Sequence, residues 1–498
     1  MPRWFSSRRI SNPFKEESNV VIRYATLLCF GIGLCFLVLR SSNFSTGTSL
    51  STVSENGDDD KPVSILHGRK RDDSALEDLD HNERDEAMDE EKDYMSQEEF
   101  APWLEAFMEQ LHWPKKEPPT PRLLNRDVLF QSQRLGCTNM VENQKVQGNF
   151  NYEYNFVKRG VEGGDMDVRQ ADGLWGISLC YQFDPSHSHY KSAVEKGIRF
   201  FTSISVPGPH NGLMVRYPDS EARRSVTGTN ALFGLGMIEY LRTIDPSDPI
   251  GYNQTFVDEV RSTLDGILKH LQYMQLPNKH FAEYYQFRTG KRSKTYSPYS
   301  DGESMLCFIK AAQYIDGYHS LIPVIEEAAP ILAKSYSIDA WLGGKEDSDM
   351  TKGFYQWSSM FLTEYFHAGW TDYNLFGDFV IMLGHWIIYT HNILKRTKNT
   401  GYAFEGIISA YEIAKVRNDQ VAMNTFAAVI DEGLYKLTTW QVGGPFADKN
   451  EFLKKHPSLA RHAVGGVMGA WNDPKLRIDT TQHQMHAIMM AINTVYRR

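Results

Sequence analysis

Apolar residues recur at intervals of three and four along most of the chain beyond residue 122, and Gly, Pro or Asn separates the periodic segments. This spacing puts the apolar side chains on one face of an α-helix, so it predicts a helical domain over residues 122–498. The pattern indicates eleven helices, near residues 168–179, 187–204, 222–243, 253–274, 301–316, 320–336, 354–367, 374–395, 402–416, 418–438 and 478–496.

Paired helices without an exact repeat can build either an α-solenoid or a closed double ring. A solenoid needs a fixed repeat period, whereas these segments vary in length. Trp and Tyr concentrate in the connections, as in sugar-binding clefts, where pyranose faces stack on aromatic rings. The pattern therefore favours an all-α closed ring. The alternating segment 280–287 predicts one short hairpin arm.

An apolar run near the N-terminus is long enough to cross a bilayer. Residues 20–39 contain a single charge, Arg23, and predict a transmembrane signal anchor. Basic residues precede this run, so the positive-inside bias makes residues 1–19 a cytoplasmic tail and the C-terminal domain luminal. A cleaved signal peptide is the alternative, but the run is longer than usual for one. We expect a single-pass type II membrane protein of the Golgi or ER, and the sequons at Asn43 and Asn253 suit a glycoprotein.

Charge is unevenly distributed between the segments. Residues 55–99 carry 18 acidic and 6 basic side chains and few aromatics, which predicts a disordered stalk over 40–121 that ends in a stiff Pro-rich connector, 114–121. Residues 101–498 have a net charge of −1 and no evident basic stripe, so we expect no nucleic-acid partner.

The cysteine count excludes a disulfide-rich scaffold. Beyond the apolar run only Cys137, Cys180 and Cys307 remain, which allows at most one intramolecular disulfide and matches no zinc motif. We interpret them mainly as small buried apolar residues and leave a disulfide open.

Two polar patches lie where helices are predicted to begin. The first contains Glu153, Arg169 and Gln170, which can bind substrate or simply cap a helix and form an Arg–carboxylate pair. In the second, Glu303 falls in the first turn of a helix, where the helix dipole favours its charge, one turn from Tyr299.

A third patch places Glu405 among Phe404, Ile407 and Ile408. A carboxyl group buried in such surroundings has the raised pKa that a general acid requires. The alternative is a solvated helix face.

The fourth patch is near the C-terminus, where Asp479, Gln482, His483 and His486 share one predicted helical face and an apolar face lies opposite. The polar face is predicted to look into the barrel mouth. Arg461, Arg477 and Trp357 complete the candidate substrate-binding residues. His483 and His486 lack a third ligand at motif spacing, so we expect no metal and no cofactor.

The elements YSPYSDGE, GYAFEG, RHAVGG and RIDTTQH, taken in this order, resemble (α/α)6-toroid proteins of the six-hairpin glycosidase-like class over most of residues 145–498. The resemblance implies an (α/α)6 toroid that acts on a glycan. A fainter resemblance, through residues 479–483, is to the C-terminal domain of D-glucuronyl C5-epimerases, which are type II Golgi proteins. This chain has no obvious β-rich domain ahead of its barrel.

Three functions remain open. A glycoside hydrolase would use Glu303 or Glu405 as general acid and Asp479 or Glu153 as base or nucleophile. A uronyl C5-epimerase or lyase would use His483 or Tyr299 as base or acid, with Arg461 or Arg477 holding the substrate carboxylate. The third is a non-enzymatic scaffold of a glycosyltransferase complex, whose cavity would be filled by apolar side chains. The expected partners are a glycan and the bilayer around residues 20–39, and the oligomeric state is open.

Overall fold

Twelve helices of 12 to 21 residues account for most of the described chain. The structure is a computed structural model, and it describes residues 113–497 except 219–222, 249–251, 342–343 and 399–400, together with residues 100–102, 104, 105 and 108. The long helices are α1 (Arg126–Glu142), α2 (Asp167–Phe183), α3 (Ser188–Ser203), α4 (Thr227–Thr243), α5 (Gln254–Met274), α6 (Pro298–Tyr314), α7 (Ile322–Ala333), α8 (Asp349–Ala368), α9 (Tyr373–Tyr389), α10 (Gly401–Val416), α11 (Gln420–Thr438) and α12 (Ile478–Asn493).

Alternate helices form two concentric rings. Each even-numbered helix packs against the even-numbered helices before and after it, and α12 closes the ring on α2. The odd-numbered helices pack on the outside of this inner ring. The predicted closed double ring is therefore correct, and six helical hairpins form it. In each hairpin the outer helix comes first and the inner helix returns in the opposite direction. All six inner helices therefore begin at the same end of the ring, which we call the mouth.

All eleven predicted helices are present, but α1 was missed. Its buried face includes Ser132, Gln133 and Asn139, so it lacks the apolar stripe that marks a helix in the sequence. These polar groups are buried because they have partners: the Ser132 hydroxyl donates to Gln441, and the Asn139 amide donates to two backbone carbonyls. Opposite, Met485 of α12 lies where Gly136 leaves room on α1, so the apolar face of α12 packs on the outer ring as predicted.

Three small antiparallel sheets lie at the mouth. Their orders are β2-β1-β8, β3-β4 and β5-β6-β7, from β1 (Glu153–Asn155), β2 (Gly160–Val161), β3 (Ser205–Pro207), β4 (Leu213–Val215), β5 (Arg224–Val226), β6 (Tyr284–Gln286), β7 (Lys291–Arg292) and β8 (Lys475–Arg477). β8 leads directly into α12, and β5 leads directly into α4. The predicted hairpin arm is formed by β6 and β7.

Packed residues begin before the predicted domain boundary at residue 122. Phe100 is fully buried and stacks on Phe376 of α9. Within the connector, Lys116 pairs with Glu432 of α11 at 2.7 Å. The connector therefore lies along the outer helices.

One disulfide joins the two rings. Cys137 of α1 and Cys180 of α2 are bonded, whereas Cys307 is buried and free. The disulfide that the sequence left open is therefore present, and all three cysteines are buried, as expected. The predicted anchor, 20–39, and the acidic stretch, 55–99, lie outside the described residues. Within the described part, no helix combines the length and apolar character needed to cross a bilayer.

Candidate active site

Carboxyl and imidazole side chains from separate inner helices meet near the mouth end of the ring. His483 of α12 lies 3.3 Å from a carboxyl oxygen of Glu405 on α10 and 3.6 Å from one of Asp172 on α2. Asp479, one turn earlier on α12, pairs with Arg169 of α2 at 2.9 Å. Residues more than 300 positions apart thus form one polar centre.

Asp479 is a buried anion held between two guanidinium groups. It accepts hydrogen bonds from Arg477 at 2.6 and 3.1 Å and pairs with Arg169. Burial by itself would raise the pKa of Asp479, but the charges of Arg169 and Arg477 outweigh it and lower the pKa to about 2. Asp479 therefore stays ionised at neutral pH, and the group of three carries a net positive charge.

Glu303 is the opposite case. Burial raises its pKa to about 8, although nearby Arg169 opposes the shift. Its carboxyl group lies against Gly228 at the start of α4, where a methyl group in place of the glycine hydrogen would come within 2.2 Å of Oε2. Glu303 is therefore protonated at neutral pH, and a glycine provides the space for its carboxyl group.

Glu405 belongs to a neutral chain of acid and imidazole groups. Burial raises its pKa well above the usual range, and burial lowers the pKa of both His483 and His486 to about 3. Nδ1 of His486 and Oε1 of Glu405 share a hydrogen bond at 2.8 Å. The Gln356 amide lies 3.2 Å from Nδ1 of His483, so Nε2 of His483 holds the ring proton and faces Asp172.

Asp172 is a central residue that the sequence reasoning missed. It is 2% exposed, neither carboxyl oxygen has a hydrogen-bond partner in the described structure, and burial raises its pKa well above the usual range. A signal was available, since Asp172 directly precedes the mainly apolar run that begins at Gly173, a context like the one that pointed to Glu405.

Exposure increases from this centre toward the mouth. Glu303 and His483 are each 4% exposed, whereas the side chains of Arg169 and Arg477 are 20% and 26% exposed and Tyr299 is 48% exposed. A ligand would therefore reach the carboxyl groups by passing Tyr299 and the two arginines. The centre itself is mostly enclosed.

Trp357 forms part of the wall around His483. Its ring centroid lies 6.3 Å from that of His483 and 5.7 Å from that of Trp175 on α2. Gly302 leaves room for Trp357 against α6. The aromatic wall excludes water from the acid and imidazole groups, which accounts for their perturbed pKa values.

Four predicted site residues make contacts other than those expected of a substrate-binding side chain. Glu153 pairs with Lys475 at 2.8 Å, and Gln170 hydrogen-bonds both backbone groups of Phe150. Gln482 is fully buried against Gly176 of α2 rather than facing the centre with Asp479 and His483. The Arg461 side chain is 75% exposed and lies 4.0 Å from Glu142 of α1. Within the described ranges, no three His, Cys, Asp or Glu residues are arranged to hold a metal ion.

Solved structures show what this fold is similar to. A cellobiose 2-epimerase from Spirochaeta thermophila aligns over 75% of this chain and 97% of its own, with 12% identity and a TM-score of 0.50. A family 76 alpha-mannanase from Bacteroides thetaiotaomicron (73% and 95% covered, 10% identity, TM-score 0.48) and a D-mannose isomerase (73% and 97%, 11%, 0.49) also align. No model of a protein family matches the chain, and no curated protein matches its sequence significantly. The chain has an (α/α)6-toroid fold, as predicted, and its fold is similar to that of the cellobiose 2-epimerase.

Gly228 provides a direct test of the Glu303 environment. We expect Gly228→Ala to displace the Glu303 carboxyl group while the domain stays folded, and any activity that uses this carboxyl group should fall about 10²-fold, because small displacements of a reacting group are costly. Gly236→Ala on the same helix is the control, since its methyl group would meet Leu174 at 3.2 Å. Steady-state kinetics and circular dichroism measure both effects. Equal losses in the two variants would contradict a special role for Gly228.

Proposed function

We propose that this protein is a carbohydrate-active enzyme that hydrolyses a glycosidic bond, with Glu303 as its general acid. One observation carries the proposal: Glu303 has a pKa of about 8 while Asp479, in the same enclosed centre, has a pKa of about 2. Carboxyl groups whose pKa values are driven apart are typical of paired acid and anion roles in glycoside hydrolysis.

The geometry supports a role for each group. Glu303 would give its proton to the leaving-group oxygen, and the negative charge of Asp479 would favour the positive charge that develops on the sugar ring. Asp479 is a weak base because Arg169 and Arg477 hold it ionised. Once Glu303 has given up its proton, its carboxylate would take the proton of the attacking water, while Asp172 and His483, both kept neutral by burial, would line the site.

A second candidate is proton transfer at a uronate C5 by an epimerase or lyase. The observation that favours it is the position of His483, whose imidazole lies between the carboxyl groups of Asp172 and Glu405, an arrangement of groups that can pass a proton along. The substrate carboxylate would meet Arg169 and Arg477, since these two arginines share a single carboxylate and remain partly exposed. Arg461 has no part in this arrangement.

A non-enzymatic scaffold is the weakest of the three. It predicts a centre filled by apolar side chains, whereas titratable groups from three inner helices, Asp172, Glu405 and His483, occupy the centre. Burying such groups costs free energy, and a scaffold has no need to bear that cost.

Incubating the full chain with a panel of glycans in deuterated water tests the proposal. New reducing ends are the expected result. Deuterium at C5 without cleavage would refute hydrolysis and indicate an epimerase. Unsaturated products would indicate a lyase. If every glycan stays intact and the protein binds a glycosyltransferase, the scaffold would be the remaining function.

We also propose that the protein is a type II membrane protein, anchored by residues 20–39, with its C-terminal domain in the lumen of the ER or Golgi. The Cys137–Cys180 disulfide supports it, since disulfides persist in oxidising compartments. Asn253 supports it too, because this sequon residue is exposed at the start of α5. Protease protection in microsomes and an endoglycosidase shift that disappears in Asn253→Gln are the tests. A domain digested in intact microsomes would refute the location.

A further inference from the structure

Positive charge concentrates on the sheet formed by β5, β6 and β7. Residues 284–294 include four basic side chains and no acidic one, and residues 216–224 add three arginines and two acidic residues. We call residues 284–294 the basic arm. Arg288, Lys291 and Lys294 are exposed, and no ion pair involves them in the described structure. The near-zero net charge of the domain conceals this local cluster.

The basic arm borders the mouth. β6 pairs with β5, and β5 ends at Val226, immediately before α4 begins. The Thr227 backbone N–H donates to the Glu283 carbonyl at 2.9 Å, which ties the base of the arm to the first residue of α4. The next residue, Gly228, lies against the Glu303 carboxyl group. A polymer bound along the arm would therefore lie close to the proposed general acid.

A hollow of about 460 Å³ adjoins the arm. It is lined by His210, Lys269, Gln272, Tyr273 and Arg292. The Arg292 guanidinium lies 5.2 Å from the Tyr273 ring centroid and donates to the Gln275 carbonyl at 2.6 Å, so the wall of the hollow is held in place. An acidic group, Asp265, pairs with Lys269 at 2.6 Å. The hollow thus combines an aromatic ring, an amide and cationic groups.

We propose that the basic arm and this hollow form a binding subsite for an anionic glycan, one that carries carboxylate or sulfate groups. Arginine and lysine side chains bind such groups, while the Tyr273 ring and the Gln272 amide suit a sugar ring and its hydroxyls. The choice of a glycan rests on the proposed function. Three exposed cations without ion pairs are also few for a nucleic acid, since DNA-binding proteins often make about 6–10 phosphate contacts.

The test measures binding of the full chain to a fluorescent oligogalacturonate by anisotropy. Arg288→Gln, Lys291→Gln and Lys294→Gln combined should weaken Kd about tenfold at low salt, since each exposed ion contact contributes only modestly to binding. Added salt should weaken wild-type binding and reduce the difference. Binding of a neutral maltooligosaccharide should be unchanged by the triple substitution.

A charge-matched variant separates local from general electrostatics. Lys395→Gln, Lys455→Gln and Arg261→Gln remove the same charge from exposed positions outside the arm and should leave Kd unchanged. Equal weakening by both triple variants would overturn the subsite. So would tighter arm-dependent binding of duplex DNA or of phosphatidylserine vesicles, which would make the arm a nucleic-acid or membrane contact.

Glu303→Gln makes failure of this proposal distinguishable from failure of the proposed function. The substitution leaves the arm intact, so it should bind the oligogalacturonate as tightly as the wild type. Arm-dependent binding without turnover of any glycan would refute the hydrolase and keep the subsite. If the wild type and the arm variant turn over glycans equally, and no binding depends on the arm, the hydrolase is kept and the subsite is refuted.

Discussion

Glu303→Gln should lower glycan turnover by about 10²- to 10⁴-fold, the usual contribution of a general acid, while substrate binding changes little. The wild-type enzyme should lose activity as pH rises through about 8, because Glu303 then loses the proton that it must donate. The residual activity of the variant should lack this alkaline limb. Steady-state kinetics from pH 5 to 10 measure both effects.

Thermal unfolding provides the control for this variant. Because burial raises the pKa of Glu303 in the folded state, ionising this group becomes increasingly unfavourable to folding as pH rises from its unfolded pKa through about 8. Glu303→Gln should therefore raise Tm relative to the wild type at pH 8 and have less effect at pH 4. Glu259→Gln, at an exposed site on α5, should change neither Tm nor turnover. Lost activity together with a lowered Tm would mean that Glu303 is structural.

Asp479→Asn should cost about 3–5 kcal/mol of the free energy of unfolding, since it leaves two largely buried guanidinium groups without their shared anion. The pKa of Asp479 is depressed in the folded state, so its contribution is present above its unfolded pKa and declines as pH falls toward about 2. The gap between wild type and variant in urea unfolding should therefore shrink in acid.

A double-mutant cycle with Arg477→Gln isolates this pair. Removing Arg477 first should reduce the cost of Asp479→Asn, because Arg477 makes two hydrogen bonds to this carboxylate. Asp316→Asn, at an exposed position, is the matched control and should be nearly neutral. Additive free energies in the cycle would show that Asp479 and Arg477 do not act together.

Sequence patterns predicted the helices better than the functions of individual side chains. Glu405 was chosen for its apolar neighbours, Glu303 for its place in the first turn of a helix, and His483 for the polar helical face that it shares with Asp479. Gln170 was misassigned because a buried amide that satisfies the backbone of Phe150 looks the same in sequence as one that binds a ligand. Asp172 was overlooked although it shares the signal that identified Glu405.

The sequence by itself determined the helical double ring, since the three-and-four spacing of apolar residues is a local property of each segment and specifies which face is buried. The tertiary structure alone decided which polar groups meet and how they are charged. Asp172 and Glu405 come together only because the ring closes α12 on α2, and a pKa depends on burial and neighbouring charges that lie hundreds of residues away. The residues next to Asp479 in the sequence do not indicate that Arg169 lies beside it, yet Arg169 helps to keep Asp479 ionised.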